Sequence, residues 1–148
     1  MFAKIAKVTA LSGLLMSAFQ AQAQDYADFA YDYDKMLNEV RTAECVSHKL
    51  VMAAEGLARQ GGISDERRVL LEVFGSLARM RYLDHYRSDN ALTDLGDEPE
   101  AMATAQGNLY VYSKFLEQVK DVAKVTGIDD EAIAAECGVN YNSFYPDL

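Results

Sequence analysis

Residues 57–77 have the sequence LARQGGISDERRVLLEVFGSL, in which one helical pattern ends and a second begins. Gly61 and Gly62 follow the last apolar positions of the first pattern, and glycine readily adopts the left-handed conformation that ends a helix. Ser64 then precedes two acidic residues, which is typical of a helix N-cap followed by negative charge at the positive end of the helix dipole. The segment therefore predicts two helices joined by a short turn, which makes them antiparallel neighbours.

Apolar residues recur at steps of three, four and seven on both sides of this turn, as they do in helices. The first predicted helix extends from Asp25 to Arg59, and the second extends from Asp65 to about Arg87. The apolar stripe of the first helix is Phe29, Tyr33, Met36, Val40, Ala43, Leu50, Ala54 and Leu57. The stripe of the second helix is Val69, Val73, Leu77, Met80 and Leu83, widened by Leu70 and Phe74. We expect both stripes to face the protein core.

A third helix is predicted over residues 98–126 and a short fourth helix over residues 130–137, each followed by a glycine. The inward positions of the third helix are Met102, Ala105, Leu109, Tyr112, Leu116, Val119 and Val122 or Ala123. Residues 88–96 are expected to form a polar loop. The predicted fold is all-α, a small helical bundle of three long helices plus one short C-terminal helix in a single domain at residues 24–148. Residues 139–148 form a non-helical aromatic tail in this prediction.

The first 23 residues have the pattern of a cleavable secretory signal peptide. Lys4 and Lys7 precede an uncharged stretch at residues 8–19, and residues 21–23 (Ala-Gln-Ala) match the pattern that signal peptidase recognises. The uncharged stretch is shorter than the roughly 20 residues that a membrane-spanning helix needs. We therefore expect residues 24–148 to be periplasmic or secreted, with no membrane association after cleavage.

Acidic residues outnumber basic ones, with 23 Asp and Glu against 14 Lys and Arg and a formal net charge of −9. Removal of residues 1–23 takes away two lysines and no acid, which changes the net charge from −9 to −11. Such a surface repels phosphate backbones and anionic lipid headgroups, so nucleic-acid and membrane partners are disfavoured. The charge favours a basic protein partner, although it is also typical of exported proteins that simply stay soluble.

Cys45 and Cys137 are the two cysteines of the chain. An even number of cysteines in an oxidising compartment predicts a disulfide bond. This bond would attach the short fourth helix to the middle of the first helix and so close the bundle. The alternative is a redox or metal-binding pair, for which the sequence contains no C-x-x-C motif.

Aromatic residues are concentrated near both ends of the expected mature chain. The six candidates for an aromatic interaction face are Tyr26, Phe29, Tyr33, Tyr141, Phe144 and Tyr145. With the disulfide formed, the tail is long enough to lie back along the first helix. These side chains then either complete the core or form a tyrosine-rich binding face.

Two histidines, His48 and His85, are the candidates for a metal or haem site, with Glu44 one helical turn before His48. Neither spacing matches a diagnostic ligand motif, so no cofactor is expected. The second helix also carries a cluster of arginines, which either binds a small anion or pairs with the acidic surfaces of the first and third helices. Its members are Arg67, Arg68, Arg79, Arg81 and Arg87.

Motifs for nucleophilic catalysis, phosphate binding and metalloprotease chemistry are absent from the sequence. The sequence favours an exported non-enzymatic protein-interaction module, such as an inhibitor, an immunity-type protein or an accessory protein that binds a basic partner. The alternative is a small helical bundle that binds a metal, haem or a small apolar ligand with the help of His48 or His85.

Overall fold

The computed structural model of the chain describes residues 32–140. Within this range it contains four helices and no strand: α1 (Tyr33–Ala58), α2 (Asp65–Leu95), α3 (Pro99–Thr126) and α4 (Asp130–Glu136). The predicted all-α bundle of three long helices and one short helix is confirmed. The predicted signal peptide and the tail from residue 141 onwards lie outside the described residues. Among the described helices, none combines the length and hydrophobicity of a membrane-spanning segment.

The turn between α1 and α2 has the capping features that the sequence predicts. Gly62 has a φ of 81°, in the left-handed region where glycine carries no steric penalty. The Ser64 hydroxyl accepts a hydrogen bond of 3.2 Å from the backbone N–H of Arg67. This bond satisfies one of the unpaired N–H groups at the start of α2.

The polar contacts between α1 and α2 show that the two helices are antiparallel. Arg41 Nε, near the start of α1, donates a 2.9 Å hydrogen bond to Asp89 near the end of α2. Glu55, near the end of α1, forms an ion pair with Arg79 in the middle of α2. The two helices joined by the short turn are therefore antiparallel neighbours, as the sequence predicts.

The protein core lies between α1, α2 and α3, and α4 adds Ile133 and Ala134 to it. The α1 stripe faces inward as predicted, with Tyr33 and Leu57 half-buried at its ends and Phe29 outside the described residues. The fully buried predicted members of this stripe are Met36, Val40, Ala43, Leu50 and Ala54. Helix α3 supplies Phe115, which the sequence analysis missed, together with the predicted Leu116 and Val119.

A disulfide bond joins α1 to the end of α4, as predicted. The sulfur atoms of Cys45 and Cys137 are bonded at 2.05 Å. Lys49 Nζ and a carboxylate oxygen of Glu136 lie 2.6 Å apart beside this bond. A helix of seven residues has little stability of its own, so these links hold α4 in place.

Helix α2 is longer than predicted, and the expected loop at residues 88–96 is wrong. Ser88 is buried and its hydroxyl donates a 3.0 Å hydrogen bond to the carbonyl of Asp84 one turn earlier. Leu92 is also fully buried, and the helix ends only at Gly96, whose φ is 67°. The sequence of this segment shows no apolar helical pattern because so few of its residues face the core.

The predicted inward stripe of α2 is wrong for every member except Phe74 and the half-buried Leu70. The buried residues of α2 are Leu71, Phe74, Gly75, Ala78, His85, Ser88 and Leu92. Several of these are small, which lets α2 lie close to α1. A Cβ atom built on Gly75 would lie 3.4 Å from the Cβ of Ala54, so the close approach of the two helices decides which face is buried.

Candidate interaction surface

Five large apolar side chains of α2 point away from the core. They are Val69, Val73, Leu77, Met80 and Leu83, with exposed fractions of 57, 55, 38, 52 and 40%. Steps of four, four, three and three residues keep them on one side of the helix. We call these five residues the outward face of α2. The apolar pattern of the sequence predicts that the same residues face the core.

Charged residues border the outward face in an ordered way. Glu66 and Glu72 lie in its N-terminal half, and Arg79 and Arg87 lie in its C-terminal half, all of them exposed. Asp84, also in the C-terminal half, is ion-paired with Arg81 of the same helix at 3.2 Å. Arg79 is likewise ion-paired, with Glu55 of α1, and Arg68 is an exposed base in the N-terminal half. The N-terminal half of the face therefore keeps a net negative charge, and the C-terminal half keeps the positive charge of Arg87.

Three of the five clustered arginines are engaged with nearby polar groups, and one of them, Arg79, pairs with an acidic residue of another helix as predicted. Arg67 donates to the backbone carbonyl of Thr126 at the end of α3. Arg79 pairs with Glu55, and Arg81 pairs with Asp84. A surface depression near this cluster is lined by Arg59, Arg68 and Arg79, but Glu55 and Glu72 line it too and oppose an anion.

His85 is fully buried in α2, and neither ring nitrogen has a hydrogen-bond partner within residues 32–140. Burial, and secondarily the positive charge of Arg81, lowers the pKa of His85 from 6.5 to about 4. The imidazole is therefore neutral at neutral pH. The nearby Ser88 hydroxyl donates to the Asp84 carbonyl and accepts a 2.9 Å bond from the side-chain amide of Asn108. Ser88 and His85 thus do not form a hydrogen-bonded nucleophile and base.

The three candidate metal ligands lie in different surroundings. His48 is exposed and stacks on Tyr82, with ring centroids 5.1 Å apart. Burial and the neighbouring carboxylate of Asp89 raise the pKa of Glu44, whereas His48 and Arg41 act in the opposite direction. In the described part of the chain, no group of three or more His, Cys, Asp or Glu side chains is arranged to hold a metal ion.

Tyr33 is the one member of the predicted aromatic face that the structure describes. Its hydroxyl donates a 2.8 Å hydrogen bond to the Leu92 carbonyl, so this half-buried side chain joins α1 to the end of α2. The other five members, Tyr26, Phe29, Tyr141, Phe144 and Tyr145, lie outside the described residues. Their predicted contacts remain predictions.

A groove between α1 and α3 lies where the described chain ends. Asn38 and Thr42 of α1 and Leu109 and Tyr112 of α3 line it, and so do the last described residues, Val139 and Asn140. The aromatic tail continues directly from this point.

The sequence does contain a signal for the two faces of α2. Leu71, Phe74, Ala78 and His85 follow one another at steps of three, four and seven, which is a second helical stripe. Because its residues are smaller or more polar than those of the outward face, the sequence pattern favours the stripe of larger side chains as the core face. Comparisons of the chain with models of protein families, with curated proteins and with solved structures found no match.

Proposed function

We propose that this chain is a non-enzymatic protein-interaction module exported to the bacterial periplasm, and that the outward face of α2 is its docking surface. The observation that carries the proposal is the exposure of five large apolar side chains along one side of a helix. Contiguous apolar surface of this kind on a water-soluble fold marks a site of interaction. Covering it removes apolar area from water, which is the main favourable term in protein association.

The shape of the surface favours a protein over a small ligand. Small apolar molecules bind in concave pockets that enclose most of their surface. The outward face of α2 is the convex side of a helix, and a second helix can pack its side chains between those of the first. This shape supports an interaction module over the alternative of a metal, haem or small-ligand binder.

The disulfide and the charge support the proposed location and the kind of partner. A disulfide between Cys45 and Cys137 is typical of proteins in oxidising compartments such as the periplasm, and the N-terminal sequence has the pattern of an export signal. The acidic surplus of the chain favours a partner with a basic surface.

Photo-crosslinking in the native host tests the proposal. Benzoylphenylalanine replaces either Leu77, in the outward face, or Val125, which is 68% exposed on α3 and serves as the matched control. We expect protein adducts from position 77 that disappear when Val73→Asp is added, and no comparable adducts from position 125. Equal adducts from both positions, or none from position 77, would overturn the proposal.

A further inference from the structure

We infer that the outward face of α2 binds the same face of a second copy of this chain, with the two α2 helices antiparallel. The inference rests on the proposed function and names the partner of the same surface. It follows from the positions of the apolar and charged residues along α2, which complement those of a second α2 helix that runs in the opposite direction.

The apolar positions match in one register. When two α2 helices are placed antiparallel with Ser76 near the twofold axis, Val69 lies close to Met80 and Leu83 of the second copy. Val73 then lies close to Ser76 and Met80 of the second copy, and each of these contacts occurs twice. The small exposed side chain of Ser76 allows the two helices to approach at the centre.

The charges match in the same register. Glu66 lies close to Arg87 of the second copy. Glu72 lies close to Arg79 of the second copy, which also pairs with Glu55 of its own chain. The acidic half of each face therefore meets the basic half of the other. A parallel pairing would bring the acidic halves of the two faces to the same level, away from Arg87 of the second copy, so that like charges repel. The distribution of charge on α2 thus selects the antiparallel pair.

The size of the surface predicts a weak and reversible dimer. The distance along the helix from Val69 to Leu83 is about 21 Å at 1.5 Å per residue. A single pair of helices of this length buries less than a standard protein interface, which is typical of weak and transient association. Most carboxylates of the chain lie outside the paired faces, so a basic partner would bind to the dimer elsewhere.

Cysteine crosslinking of the purified full-length protein, with the native disulfide intact, tests the register. We expect Ser76→Cys to form a crosslinked dimer on oxidation, because the two copies of residue 76 meet near the axis. Val69→Cys alone should not crosslink, whereas a mixture of Val69→Cys and Leu83→Cys chains should. A crosslink of Val69→Cys with itself would show a parallel pair and overturn the inference.

Sedimentation velocity over a range of concentrations tests the association itself. We expect wild type to dimerise, Leu77→Glu to remain monomeric, and the control Val125→Glu to dimerise like wild type. Glu66→Arg and Arg87→Glu should each weaken the dimer roughly tenfold, and the two changes combined in one chain should restore it. Circular dichroism of each variant verifies that the helical fold is retained.

The two proposals fail in different ways. If wild type is monomeric at every concentration while position 77 still forms adducts with another protein in the host, the dimer is overturned and the interaction module stands. If position 77 forms adducts only with residues 141–148 of its own chain, the tail covers the outward face and both proposals are overturned.

Discussion

His85 of α2 stands edge-on to Tyr112 of α3, with ring centroids 4.9 Å apart and ring planes at 86° to each other. Burial raises the pKa of the Tyr112 phenol above its ordinary range, and it lowers the pKa of His85 to about 4. Both rings are therefore neutral at neutral pH, and His85 packs as an aromatic side chain would. A positive charge in this position would have no hydrogen-bond acceptor within the described residues.

This arrangement predicts a loss of stability in mild acid. In the unfolded chain His85 takes up a proton as the pH falls below about 6.5, whereas the folded protein keeps it neutral down to a pKa of about 4. The contribution of His85 is therefore fully present above pH 6.5 and is lost as the pH falls toward 4. We expect the free energy of unfolding, measured with urea, to decrease by about 2 kcal/mol between about pH 7 and about pH 5.

Two histidine variants isolate this effect. His85→Phe keeps an aromatic ring against Tyr112 and should flatten the pH dependence in this range. His48→Gln removes the exposed histidine and should leave the wild-type slope. A slope that survives in His85→Phe would mean that another group is responsible.

The disulfide between Cys45 and Cys137 should contribute a large share of the stability. The bond closes a loop with a sequence separation of 92 residues, and loss of a native disulfide typically costs about 2–5 kcal/mol. We expect the free energy of unfolding of the double variant Cys45→Ala, Cys137→Ala, measured with urea, to be lower by this amount. Hydrogen exchange should accelerate most in α4, which has seven residues and depends on this link. Equal acceleration throughout α1, α2 and α4 would contradict the local role of the bond.

The close approach of α2 to α1 at Gly75 predicts opposite effects of two substitutions. Alanine fits, because its Cβ would lie 3.4 Å from the Cβ of Ala54, and it favours the helix over glycine by up to about 1 kcal/mol. Gly75→Leu should destabilise by about 1–3 kcal/mol because the larger side chain forces the helices apart. Gly56 of α1 has no atom within 4 Å of a built Cβ and is the control. Thermal unfolding should show that leucine is tolerated at position 56 and not at position 75.

The groove between α1 and α3 predicts that the aromatic tail contributes to stability. Because Asn140 lies at the edge of this groove, Tyr141, Phe144 and Tyr145 follow at a position from which they can pack into it. Deletion of residues 141–148 should lower the Tm by about 5 °C or more, since even one buried aromatic ring contributes about 1.5–3 kcal/mol. Deletion of residues 146–148 alone keeps the three aromatic residues and should leave the Tm unchanged. An unchanged Tm after the longer deletion would reject the packing.

Local sequence signals predict the helices of this protein well because their physical causes are local. The cap at Ser64 needs only the backbone N–H of Arg67, and the glycine at position 127 ends α3 with a φ of 78°. The disulfide could be predicted from the even number of cysteines and the expected compartment. Each of these signals acts within a few residues or within one covalent bond.

The burial of α2 could not be predicted in this way because it depends on contacts with other helices. Larger apolar side chains form one stripe, but the small side chains of Gly75 and Ala78 allow the closer packing against α1, and the buried face follows them. The end of α2 was missed for the same reason, since only Leu92 and Ser88 of its last two turns are buried. Which face of α2 is exposed therefore depends on how all the helices of the bundle pack together.

The free energy of unfolding of two leucine variants tests most directly whether α2 turns its larger stripe outward. Leu71 is fully buried, whereas Leu77 belongs to the outward face. At protein concentrations below the dissociation constant of the dimer, we expect Leu71→Ala to lower the free energy of unfolding by about 2–5 kcal/mol. Leu77→Ala should lower it by less than about 1 kcal/mol. A larger cost for Leu77→Ala than for Leu71→Ala would place the outward face in the core and contradict the account.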